Sequence, residues 1–125
     1  MALVLDAGGL IAIDRRNQRA RGLLVVSQHQ GIAVRTSSAV VAQVWRDGAR
    51  QANLARLLGT LEIASLDPAA GRCVGELLAQ TASADVVDAH LALLVERDDT
   101  VLTSDPGDLA DLLRARAVHA RLEEV

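Results

Sequence analysis

The chain has 125 residues, half of them hydrophobic, which is one domain's length and enough to bury a core. Its apolar runs are too short and interrupted to span a bilayer, and its single cysteine, Cys73, excludes an internal disulfide or a cysteine zinc cage. A net charge of −3 excludes a polycation that holds nucleic acid by charge alone.

The start, "MALVLDAGG", has no basic segment and meets Asp6 too early for a signal peptide, so a cytoplasmic protein is expected. "ALVLD" reads as a buried strand, and "GGLIAIDRR" as a short helix or turn. Residues 17–30 are helical in pattern, with Gly31 as the stop. "IAVRTS" is a second strand. Ser37 or Ser38 then caps "SAVVAQVWRDG", a helix closed by Gly48. "RQANLARLLG" is another helix, with Leu54, Leu57 and Leu58 on one face and Gly59 after it. "LEIASL" alternates as a third strand. "DPAAGRCVGELLAQT" starts a helix with Asp67 as cap and Pro68 in the first turn. "SADVVDAHLALLVERDD" is expected to be helical throughout. "TVLTS" is a fourth strand, "DPGDLADLLRAR" a helix built like the one at Asp67, and "VHARLEEV" a candidate last strand. Strands alternating with helices predict one α/β domain over residues 1–125 around a mostly parallel sheet.

All 13 basic residues are arginine, and Arg15, Arg16, Arg19 and Arg21 cluster early. Arginine's planar fork suits phosphate, although a GC-rich coding sequence is the plainer account of the absence of lysine and an even alternative for the early cluster. Trp45 is the only aromatic residue, so a base-stacking platform is not expected; the core or a dimer contact is its expected place. Cys73 reads as small core packing. His29, His90 and His119 are not spaced as a metal motif, and His90 reads as a surface or partly buried helix residue. "LLVV" at 23–26 and "LARLL" at 54–58 fit either interface or core.

The chemistry rests on aspartates. Ligands of parallel sheets bind beyond the carboxyl ends of the strands. Asp6 follows the first strand and Asp105 the fourth, so two chain-distant acids are predicted to share one sheet edge. Asp85 and Asp88 lie three apart, as do Asp105 and Asp108. Carboxylates that converge repel one another, and a hard divalent cation such as magnesium or manganese relieves this through oxygen ligands. Such an ion also supports phosphodiester chemistry. Each acid has a plainer alternative as a helix cap or first-turn acid. Asp67 is assigned capping alone.

"LVLDAGGLIA", "SSAVVAQVWRDG", "SADVVDAHLALL" and "VLTSDPGDL" occur in an order and spacing that resembles PIN-domain ribonucleases, above all the VapC-type toxins of toxin–antitoxin pairs. The resemblance covers essentially the whole chain. It implies a PIN-like α/β/α sandwich with a central, mostly parallel sheet of four to five strands, and cleavage of RNA with Mg2+ or Mn2+. Its acids match Asp6, Asp88 and Asp105 as catalytic and metal-binding residues, with Asp85 and Asp108 as extra metal-binding acids. Thr103 and Ser104 become candidates to orient a water or a phosphate oxygen. Arg15, Arg16 and Arg19 become candidate RNA or antitoxin contacts. The implied partners are an RNA substrate, a neutralising antitoxin and a second copy in a homodimer, with no membrane.

One position departs from the pattern. The family's second acid is usually a glutamate in the helix after the second strand, where this chain has Gln43. Glutamine keeps a carbonyl oxygen but loses the charge and cannot act as a general base. Asp47, one turn on, is either a substitute acting through water or a solvated residue. Two functions therefore stay open: an active nuclease, and a degenerate PIN domain that binds RNA or an antitoxin without cutting. A phosphoacceptor receiver domain is rejected, because it needs a lysine beside its aspartate.

Overall fold

The computed structural model describes residues 1–125. Five short strands form a single sheet: β1 (Leu3–Leu5), β2 (Val34–Ser37), β3 (Glu62–Ala64), β4 (Thr100–Thr103) and β5 (Arg121–Glu124). Their order is β3-β2-β1-β4-β5, and every pairing is parallel. Parallel neighbours need long crossovers, supplied here by α1 (Ala7–Asp14), α2 (Gln18–His29), α3 (Ser38–Val44), α4 (Ala52–Leu58), α5 (Pro68–Ala79), α6 (Val86–Leu94) and α7 (Pro106–Ala115). Every residue of β1 and Val101, Leu102 and Thr103 of β4 are buried, so both faces of the central strands are covered. These residues join Leu10, Leu91, Leu109 and Leu112 in one continuous core. The expected α/β sandwich is the fold observed, and its sheet is parallel throughout.

The topology decides where a site can form. From β1 the chain moves outward to β2 and β3, then returns across the sheet to β4 and β5. The strand order therefore reverses between β1 and β4, and a crevice opens beyond their carboxyl ends. Asp6 and Ser104 stand at those ends.

Several expected elements end early, each for a local reason. The helix expected to run to Asp99 stops at Leu94. Val95 turns extended, and Arg116 donates to the carbonyls of Ala92 (2.6 Å) and Val95 (2.7 Å). Buried Asp99 then accepts from the amides of Glu96 (2.8 Å) and Ala2 (2.7 Å), bending 96–99 back to the sheet. The helix expected to reach Gly48 stops at Val44. There the Gln51 side chain donates to the Val44 carbonyl (2.8 Å) and accepts from the amides of Arg46 (2.7 Å) and Asp47 (2.9 Å). β3 is shorter than "LEIASL", since the Leu66 amide leaves the ladder for Ser38 Oγ (2.9 Å).

Two side chains, Cys73 and His90, are placed otherwise than expected, and for Trp45 the core alternative falls away. Cys73 is exposed on α5 rather than packed in the core. Trp45 lies at the surface over Gly48, beyond the end of α3. His90 is fully buried, because it sits on the core face of α6 and its Nδ1 meets Ser37 Oγ at 2.5 Å. In "LLVV", Leu24 is core while Val25 and Val26 are exposed; Leu54 is core while Leu57 and Leu58 are half-buried.

Candidate metal centre

Asp6 is the first fixed point. It is the N-cap of α1, and its Oδ1 accepts from the Gly9 amide at 2.8 Å. Its Oδ2 accepts from the Thr103 hydroxyl at 2.5 Å and the Ser104 amide at 3.3 Å. Two glycines make that approach possible. A Cβ on Gly8 would lie 2.2 Å from Ser104 Oγ, and one on Gly9 2.6 Å from the Leu102 carbonyl oxygen. No larger side chain fits either place without backbone movement.

Thr103 carries the geometry across the sheet. Its hydroxyl donates to Asp6 and accepts from the Asp105 amide at 2.8 Å. One buried group thus joins the acid after β1 to the acid after β4. Its one donor and one of its acceptor lone pairs are used inside the protein, so it positions the acids. Ser104 beside it is exposed.

The other acids arrive as helix starts. Asp85 caps α6 by accepting from the Asp88 amide at 2.9 Å. Asp105 caps α7 by accepting from the Asp108 amide at 3.5 Å. Capping spends an acid's oxygen on the third residue of the helix, and in both helices that third residue is itself an aspartate. The structure brings carboxylate oxygens of Asp88, Asp105 and Asp108 within 4.8 Å of one another. Asp6 and Asp85 border this group rather than complete it, and both raise the pKa of Asp88 by repulsion.

The electrostatics are those of uncompensated charge. Partial burial, followed by repulsion from Asp85, Asp105, Asp6 and Asp108, pushes the Asp88 carboxyl up to about 6. Asp108 is also raised, first by its hydrogen bond with Asp105 and then by that residue's charge. No arginine forms an ion pair with any of these five acids. An all-oxygen donor set with excess negative charge fits a hard divalent cation and suits no soft metal.

Of the remaining sequence candidates, Asp47 does not join this group of acids. Gln43 lies exposed on the last turn of α3. Asp47 is exposed, accepts from the Ala49 amide at 3.0 Å and faces Arg50. Arg19 is ion-paired with buried Glu123, while Arg15 and Arg16 are exposed at the end of α1. Sequence reading passed over Gly8 and Gly9 as site residues, though two glycines directly after a strand-terminal acid were a usable signal. Asp99 and Glu123 were also missed. They are buried acids that anchor the first residues of the chain and tie β5 to α2.

A five-stranded parallel α/β domain with acids gathered at its switch point is the architecture the PIN resemblance implied. Among solved structures, the chain is similar to one from "VapBC2 from Rickettsia felis bound to a DNA fragment from their promoter". The two share 16% identity at a TM-score of 0.70, over 99% of this chain and 100% of that one. No family model matches the sequence, and no curated protein matches it. The likeness establishes the PIN-type fold. No helix is long and apolar enough to cross a membrane.

Proposed function

We propose that this protein is a metal-dependent ribonuclease of the VapC type, which hydrolyses RNA phosphodiester bonds and is neutralised by an antitoxin protein. The observation that carries this reading is the convergence of Asp88, Asp105 and Asp108 within 4.8 Å, with Asp6 tied to them through Thr103 and no cationic side chain to balance the charge.

In this reading Asp6, Asp88 and Asp105 are the catalytic carboxylates and hold Mg2+ or Mn2+, supported by Asp85 and Asp108. A bound divalent ion supplies Lewis-acid activation of the phosphodiester and of the attacking water. The chain's own residues set the frame. Gly9, Thr103 and Ser104 fix both oxygens of Asp6. The N-termini of α6 and α7 offer favourable potential to the acids that start them. Asp88 has the most costly charge of the set and gains most from a cation. Exposed Ser104 stands at the rim, where a phosphate oxygen of the substrate can reach it. A homodimer in the cytoplasm, as in other toxins of this type, completes the proposal.

Gln43 favours a second reading, in which the domain binds RNA or antitoxin but no longer cuts. The deciding measurement is cleavage of a defined RNA panel in magnesium and in manganese by the natural chain, Asp6→Ala and Gln43→Glu. Metal-dependent cleavage lost in Asp6→Ala supports the nuclease. Cleavage equal in the natural chain and Asp6→Ala sinks it. Silence from the natural chain with activity gained in Gln43→Glu establishes the second reading.

A further inference from the structure

The acidic centre uses none of the arginines, yet three of them meet elsewhere. A cavity of about 280 Å3 lies between the end of α1, α2 and α4, and Arg16, Arg21 and Arg56 line it. None of the three forms an ion pair or a side-chain hydrogen bond. Arginines elsewhere are mostly matched: Arg19 and Arg121 to Glu123, Arg35 to Glu62, Arg114 to Asp111, and Arg46 and Arg116 to backbone carbonyls. No acid lines the cavity, and Asp14, which accepts from Asn53 Nδ2 of the lining at 3.2 Å, pairs with no guanidinium. Three unmatched cations thus share one concavity in a protein of net charge −3.

Arg16 adds an independent sign. It follows the C-cap of α1 with φ at 62°, a left-handed conformation that glycine adopts freely and arginine only at a cost. Glycine would satisfy the turn better, whereas arginine brings a charge to the cavity mouth.

We infer that this cavity binds a phosphate group carried on a nucleotide unit. Guanidinium forks match phosphate oxygens in pairs. A terminal phosphate, with three acceptor oxygens and about −1.5 to −2 charge, balances three arginines better than a single carboxylate does. The cavity floor of Ile13, Leu24 and Leu57 is apolar and suits the sugar and base face, and the volume is that of about one nucleotide. No aromatic side chain lines it, so recognition is by phosphate and tolerant of base identity. The phosphate has two possible sources, an RNA strand or a free nucleotide. The RNA source rests on the ribonuclease reading. Eight-residue α1 rises about 12 Å from Asp6 toward Arg16, so a strand leaving the acidic centre reaches the cavity within a few nucleotides.

The test is binding in EDTA, which removes any metal and separates this site from catalysis. Fluorescence anisotropy with a labelled ten-nucleotide RNA, and calorimetry with adenosine 5′-monophosphate, compare the natural chain with the Arg21→Ala/Arg56→Ala double variant. Both arginines are exposed and unpaired, so the variant keeps its fold, which an unchanged melting temperature verifies. For an RNA source, RNA affinity falls about tenfold and the slope of log K against log salt drops by about 1.4, near 0.7 for each phosphate that the variant no longer neutralises. For a free nucleotide, monophosphate binding disappears while RNA affinity holds. Equal binding of both probes by the two proteins overturns the proposal. So does binding of a glutamate-rich peptide that alone depends on these arginines. None of these outcomes depends on whether Asp6→Ala abolishes cleavage.

Discussion

Asp67-Pro68 and Asp105-Pro106 are spelled alike and built alike, yet only one belongs to the acidic centre. Each aspartate caps a helix whose first turn holds a proline. Asp67 accepts from the Ala70 amide at 2.8 Å, and Asp105 from the Asp108 amide at 3.5 Å. The shorter capping bond is thus the one outside the acidic cluster. Around Asp67 the third helical residue is alanine. Around Asp105 it is another aspartate, the preceding strand supplies Thr103, and Asp88 comes from a different helix. Local sequence makes a cap; chain-distant neighbours draw one of the two caps into an acidic cluster.

The largest expected effect breaks this pair apart. Asp105→Ala is expected to reduce metal-dependent RNA cleavage about 100-fold or more while the fold persists, because it removes one of the converging carboxylates. Asp67→Ala is expected to leave cleavage intact and to lose about 1 kcal/mol of stability, the ordinary value of an N-cap. Cleavage rates and thermal unfolding of the two variants, side by side, check both halves. Equal loss of cleavage in both would mean that Asp105 acts only as a cap.

A smaller effect concerns pH. With Asp88 raised to about 6, protons compete with a cation below that pH. Mn2+ affinity is expected to fall about tenfold between pH 7 and pH 5, the change that a single carboxyl titrating near 6 produces. Calorimetry across that range measures it. An affinity flat down to pH 5 would remove Asp88 from the ligand set.

How much of this was legible in the sequence follows the same division. Asp6 and Asp105 could be placed on one edge because a strand's end and a parallel sheet's carboxyl edge are both readable from pattern. The pairing of Asp85 with Asp88 and of Asp105 with Asp108 was readable from spacing, and Asp105 caps its helix as expected, whereas Asp85 proves to be a cap ahead of its helix. Thr103 was singled out as a hydroxyl at the site, but nothing local shows that it would donate to Asp6, 97 residues away. The ends of α3 and α6 were misjudged because Gln51, Arg116 and Asp99 capture their last polar groups from outside. His90 was misjudged because its partner, Ser37, belongs to another strand end. The arginine cavity was half visible, with Arg16 and Arg21 in one cluster and Arg56 brought in by α4.

The smallest effect sharpens the comparison by reversing a sign. In the metal-free protein, a carboxyl whose folded pKa is raised contributes stability that is fully present below its unfolded value of 3.8 and is lost as pH rises through about 6. At pH 8 the ionised Asp88 is therefore a liability. Its side chain receives no hydrogen bond, and the contact with Asp85 uses only its backbone amide, which asparagine retains. Asp88→Asn is expected to stabilise the metal-free chain at pH 8 by about 1 kcal/mol, after allowing for solvent screening of this half-exposed group. That corresponds to about 4 °C in melting temperature. The gain should disappear at pH 4, where the natural residue is largely protonated, and should turn into a loss when saturating Mn2+ is present, since the cation stabilises only the intact site. Asp67→Ala moves the other way, destabilising with or without metal. A melting temperature for Asp88→Asn that stays at or below that of the natural chain at pH 8 without metal would show that the charges of this cluster are already balanced within the protein, and the case for a cation there would lose its electrostatic basis.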